Sequence, residues 1–268
     1  MKGRTLKETI KISGIGVHTG RSSSVYLHPE EDGGIRFIKE GTIIPAIIDS
    51  VVETDRGIVL SREGKKIYTV EHLLSALFGC GIDHLAIEIK GDEVPALDGS
   101  AYPFISAFEE VGFSSLPNEK EKKYLKESYG VEGRGCFAFA QPQDTLTIQY
   151  IISYNHPLLS YQEYRYNGKS NFIKEIARAR TYGLLSWKEQ LQSRGYALAA
   201  SEDNTLVYDG KGVINTPRFP DEAVRHKVLD FLGDLYLVRP ISIGSYIIAR
   251  GGHHLHIELL KQIKGSEY

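Results

Sequence analysis

The sequence predicts an α+β protein built from two similar halves. Short strand-like runs separated by Gly, Asp and Asn turns fill the first half and lead into a helical stretch. Beyond a polar segment the same alternation of strands and helix returns. Two helix starts also echo each other: His72 opens HLLSALFG and His226 opens HKVLDFLGDLYL, each followed by a turn and a strand. Two such halves would set their helices face to face.

Taken in order, residues 24–27, 34–38 and 51–60 read as strands. A helix begins at Thr69, because Val70, Leu73, Leu74, Leu77 and Phe78 fall at helical spacing, and Gly79 or Gly81 stops it. HLAIEI at 84–89 reads as a strand, and 102–111 as a helix with Pro103 in its first turn. Residues 112–126 are polar, charged and without a period. They are the candidate linker, dividing a first domain, 1–116, from a second, 127–268, with 117–126 between. Strands follow at 135–140 and 145–154, a helix near 183–193, a strong helix at 221–237, and strands at 243–249 and 254–260.

With 268 residues the chain can bury one large core or two medium ones. A net charge of −2 gives no positive excess that would suggest nucleic acid as a partner. No stretch of 18 uninterrupted apolar residues occurs, and the N-terminus lacks an apolar signal region, so a soluble protein without membrane insertion is expected. Cys80 and Cys136 are the only cysteines, too few for a disulfide framework. They read as buried free thiols, which fits a cytoplasmic setting.

AVRHKVLDFLGDLYLV is the most informative segment. His226, Asp230 and Asp234 recur every four residues and project from one face of a helix. This reads either as a metal-binding face or as a solvated polar stripe. Glu71-His72 at the start of its own helix could be a base beside a metal ligand, or Glu71 could simply suit the first helical turn. In ARGGHHLHIEL at 249–259, Gly251-Gly252 permits unusual backbone before His253, and a strand would put His254 and His256 on one face with His253 on the other. Together these pieces supply two His and one Asp for a catalytic zinc, a carboxylate base, a His acid and an Asp to orient it. That is a complete set for metal-assisted amide hydrolysis.

TVEHLLSAL, VPALDGSAYPF, RART at 178–181, RHKVLDFLGDLYL and RGGHHLHIEL, with GIGVHTG near the start, resemble the bacterial UDP-3-O-acyl-N-acetylglucosamine deacetylases over nearly the whole chain. The resemblance implies two α+β domains, each a β-sheet with helices on one face, the helices packed together between the two sheets. It implies a cytoplasmic monomer acting on UDP-3-O-acyl-N-acetylglucosamine at the committed step of lipid A biosynthesis. It assigns Zn2+, with Fe2+ as an alternative, to His72, His226 and Asp230. Glu71 would be the general base, His253 the general acid, and Asp234 its partner. Thr181 and Lys227 would bind substrate and stabilise the oxyanion, and Tyr182 would contact the substrate. An insertion at 183–201 would form the acyl passage, with Leu184, Leu185, Trp187 and Leu191 as lining candidates.

Two departures from the family pattern stand out. TDRGIVL at 54–60 lacks a paired Thr, and His254 stands where small residues are common. Two rival readings are a zinc amidase of the same fold with another substrate and a binding protein with a relic site.

Overall fold

Period-two burial builds the first sheet. In the strand Ser22–Pro29 the side chains of Ser23, Val25 and Leu27 are buried, and the residues between them are half-buried. The computed structural model describes residues 2–168 and 171–265. Met1 and residues 266–268, the outer ends of the two expected domains, and residues 169–170 lie outside the described residues. Five strands assemble in the order Ile10–Ile15, Ser22–Pro29, Leu85–Lys90, Ile35–Lys39, Thr42–Pro45. All neighbours are antiparallel except Leu85–Lys90 beside Ile35–Lys39.

A second sheet repeats this arrangement strand for strand. Its order is Tyr129–Gly133, Cys136–Gln141, Ser245–Ala249, Thr147–Ile152, Gln162–Asn167, and the late central strand is again parallel to one neighbour. In chain order the helices are α1 (Glu71–Cys80), α2 (Tyr102–Val111), α3 (Phe172–Glu175), α4 (Lys188–Ser193), α5 (Glu222–Leu235) and α6 (His253–Gly265). Helices α1 and α5 each precede the late central strand of a sheet, while α2 and α6 follow it. The echo between the helices that carry His72 and His226 is therefore a repeat of topology.

The helices pack together between the sheets, α1 against α5 and α2, and α5 against α6. Burial on all sides explains why α1 is apolar nearly all round, with Leu73, Leu74, Ala76 and Leu77 fully enclosed. It stops at Gly81, whose φ of 64° is a left-handed cap that glycine adopts without strain. At the contact with α5, a Cβ on Gly233 would collide with the Glu71 backbone, so only glycine allows this approach.

Several expectations are corrected. Residues 254–260 belong to helix α6, not to a strand. Leu255, Leu259, Leu260 and Ile263 are buried at helical spacing, a longer period that the short alternation in HLHIEL disguises. The polar 112–126 segment contains the strand Phe113–Glu119, antiparallel to Lys2–Leu6, and the short strand Lys123–Tyr124, parallel to Ser242–Ile243. The run 51–60 is broken by a turn into Val51–Glu53 and Val59–Arg62. Residues 182–193 begin as a strand, Tyr182–Leu184, and become helical only later. Cys80 is buried, whereas Cys136 is half-buried.

Candidate metal centre

Helix α5 carries Glu222, His226, Asp230 and Asp234 at four-residue intervals, and all four are buried. This rules out the solvated stripe, because ionisable groups taken from water need partners. Glu222 accepts hydrogen bonds from the Arg180 backbone N–H and Nε, both at 2.9 Å. His226 Nδ1–H donates to the Ala179 carbonyl at 3.0 Å. That bond fixes the tautomer and leaves the Nε2 lone pair facing inward.

Among the described residues, Asp230 Oδ1 is buried without a hydrogen-bond partner. It lies 3.2 Å from His226 Nε2 and 3.6 Å from His72 Nε2. The two imidazoles cross at 87°, and one ligand atom from each of the three residues lies within 4.8 Å of the others. An orphaned carboxylate oxygen facing two imidazole nitrogens is costly as a polar cluster and well suited to a divalent cation. Two His and one carboxylate form a donor set that fits zinc or ferrous iron and leaves coordination positions open. Burial pushes the Asp230 carboxyl upward, but His226 and Lys227 hold it well below the usual carboxylate range. Lys227 Nζ donates to Asp230 Oδ2 at 2.8 Å. Burial disfavours the Lys227 charge, yet Asp230 raises its pKa above the ordinary value.

Glu71 opens α1 but does not cap it. Its Oε2 accepts the Ile58 N–H at 3.0 Å, while Oε1 lies 3.8 Å from His253 Nε2. His253 Nδ1–H donates to Asp234 Oδ2 at 2.7 Å. Burial works against charge on this imidazole, but Asp234 outweighs it and lifts the pKa to about 9.

The family model described as LpxC: UDP-3-O-acyl N-acetylglycosamine deacetylase matches residues 3–265. The chain belongs to this family. A UDP-3-O-acyl-N-acetylglucosamine deacetylase of Nautilia profundicola is 41% identical, with 100% of this chain and 93% of the relative covered. Relatives of the same name from Nitratiruptor sp. and Coxiella burnetii are 36% and 37% identical, covering 100% of this chain and 93% and 91% of their own lengths.

In this LpxC family member, one cavity of about 530 Å³ collects nearly every residue singled out from the sequence. Its walls include Glu71, His72, Thr181, His226, Lys227, Asp230 and His253, together with Tyr182, Leu184, Leu185, Trp187 and Leu191. Asp234 stands behind the wall, reaching the cavity only through His253. Two segments that carry the resemblance sit beside this cavity. In the DGS segment, the Gly99 carbonyl accepts the Thr181 N–H at 2.8 Å, and Asp98 pairs with Arg218 at 2.8 Å. The Arg180–Glu222 pair pins RART to α5, which sets both Thr181 and the Ala179 carbonyl. The departing 54–60 turn faces the passage wall, with Asp55 paired to Arg194 at 2.7 Å.

Sequence reasoning missed His256 and Tyr150. In a helix His253 and His256 share a face, three residues apart, whereas exposed His254 points away toward Glu258. His256 Nδ1–H donates to the same Asp234 Oδ2 at 2.7 Å. Burial keeps His256 below the ordinary histidine pKa, so its Nε2 accepts from the Tyr150 hydroxyl at 2.9 Å. The helical spacing of 253 and 256 would have revealed the pair once 254–260 was read as helix.

Proposed function

We propose that this deacetylase, an enzyme of lipid A biosynthesis, hydrolyses the N-acetyl amide of UDP-3-O-acyl-N-acetylglucosamine with Glu71 as general base and His253 as general acid. The observation that carries the reading is the placement of Glu71 Oε1 and His253 Nε2, 3.8 Å apart on a cavity that also contains His72, His226 and Asp230. Those three residues would hold Zn2+, with Fe2+ as the alternative. When bound, the metal supplies Lewis acidity that polarises the amide carbonyl and acidifies the attacking water.

Everything else falls to the chain's own groups. Glu71 Oε1 takes the proton of the attacking water, while the Ile58 N–H holds the other carboxylate oxygen in place. His253 Nε2 delivers a proton to the departing amine, and Asp234 stabilises the imidazolium until then. Lys227 Nζ and the Thr181 hydroxyl stabilise the negative charge that develops on the former carbonyl oxygen. Loss of such a donor lowers kcat by about 10²–10³-fold in comparable sites. Tyr182 contacts the substrate, and Leu184, Leu185, Trp187 and Leu191 receive the acyl chain. Cys80 and Cys136 as free thiols support a cytoplasmic setting. Among the described residues, no helix is long and apolar enough to cross a membrane.

The test is to measure turnover and metal content together in Glu71→Gln and His253→Ala. Both variants are expected to keep a bound metal and to lose at least about 10²-fold in kcat. Near-normal turnover in either would overturn that residue's assignment.

A further inference from the structure

Glu93 is a carboxylate that the reaction does not use, and it is 1% exposed. Among the described residues it accepts four hydrogen bonds, all from neutral donors. Oε1 takes the His18 N–H at 3.0 Å and the Thr69 hydroxyl at 2.9 Å. Oε2 takes the Thr19 N–H and the Thr19 hydroxyl, both at 2.8 Å. A carboxylate with both oxygens held in this way makes a fixed point between two loops.

The first loop leads to the proposed base. Thr69 has φ +58°, a left-handed conformation that is an outlier for a β-branched residue. Two bonds hold it there: its hydroxyl to Glu93 and its N–H to the Ile58 carbonyl at 2.9 Å. The N–H of the same Ile58 orients Glu71 Oε2. The bend at Thr69 thus fixes both where α1 starts and which peptide meets the Glu71 carboxylate.

The second loop leads to the passage wall. The Val17 and His18 carbonyls accept the Ala199 and Leu198 N–H groups at 3.1 and 3.3 Å. His18 Nδ1 accepts the Ala197 N–H at 3.3 Å, and His18 Nε2–H donates to the Arg56 carbonyl at 3.1 Å. Val17, His18, Arg56 and Ala197 all line the cavity.

We infer that Glu93 is a positioning residue for deacetylation, a single buried carboxylate that aims Glu71 through the Thr69 turn and seats the acyl-passage wall through the 16–20 loop. This rests on the reading of Glu71 as base. It predicts a split between kinetic constants. Thr69→Val, which removes only the base arm, lowers kcat about tenfold or more with little change in KM, and Thr69→Ser, which keeps the hydroxyl, restores kcat. Glu93→Gln, which weakens both arms, lowers kcat and also raises KM for a long-acyl substrate several-fold. Metal content and thermal midpoint are measured on the same samples, with Glu71→Gln as the reference. If Thr69→Val and Glu93→Gln fold, bind metal and turn over like wild type while Glu71→Gln is inactive, the positioning role is wrong and the base assignment stands. If Glu71→Gln is itself active, the underlying reading fails. If Thr69→Ser loses as much as Thr69→Val, the hydroxyl bond to Glu93 is not what aims the base.

Discussion

Gly233 lies so close to the Glu71 backbone that a Cβ on it would sit 2.9 Å from the Glu71 carbonyl carbon. This contact sets the distance between the two central helices, and with it the distance between His72 on one and Asp230 on the other. Gly233→Ala should therefore act twice. Overpacking at a closed helix contact costs about 1–3 kcal/mol, visible as a lower thermal midpoint. Metal affinity should fall as well, because the added methyl pushes His72 away from Asp230; titration calorimetry with zinc measures that loss. An unchanged metal affinity would show that the helix spacing does not set the centre.

The environment of His253 fixes the sign of a pH effect. Its pKa is raised to about 9 by Asp234 against the opposing effect of burial, so the proton stays on through neutral pH. The stability contributed by this pair is full below the ordinary histidine value of about 6.5 and is lost as pH rises through about 9. Asp234→Asn removes the charge that raises it. NMR titration of the metal-free protein should show the His253 resonance moving to lower pH in that variant. The alkaline limb of the kcat profile should shift in the same direction.

Asp234 is held from two sides, and His256 is the less visible of its two donors. Replacing it with Leu removes one hydrogen bond to Asp234 and leaves the Tyr150 hydroxyl without its imidazole acceptor. An unsatisfied buried group costs about 1–3 kcal/mol. Chemical denaturation should show that loss, accompanied by a fall in kcat as Asp234 becomes free to turn.

The acyl passage invites a steric test. Leu191→Trp narrows the cavity where Leu184, Leu185 and Trp187 also line it. KM should rise for a long-acyl substrate and stay nearly constant for a short one, with little effect on metal content. Equal changes for both substrates would place the acyl chain elsewhere.

Much of this was legible in the sequence because the chemistry sits on strongly periodic helices. The four-residue recurrence of His226, Asp230 and Asp234 cannot be hidden by tertiary context, and the helix beginning near Glu71 shows Val70, Leu73, Leu74, Leu77 and Phe78 at helical spacing. Glu222 extends that stripe and was overlooked, since an acidic residue in a first turn has an ordinary local explanation. His256 was obscured by a segment whose alternation over six residues imitates a strand. The 112–126 strands were hidden for a different reason: pairing with Lys2–Leu6 and Ser242–Ile243 is a long-range event that overrides polar composition. The roles of Glu93 and of the Ala179 carbonyl depend on hydrogen bonds between distant loops and have no local signature.

The most direct measurement is acetate release from UDP-3-O-acyl-N-acetylglucosamine by the purified chain, before metal removal, after it, and after zinc is returned. Turnover that vanishes with the metal and comes back with about one equivalent of zinc is the predicted result. Turnover that persists in the fully metal-free protein would contradict the centre built from His72, His226 and Asp230.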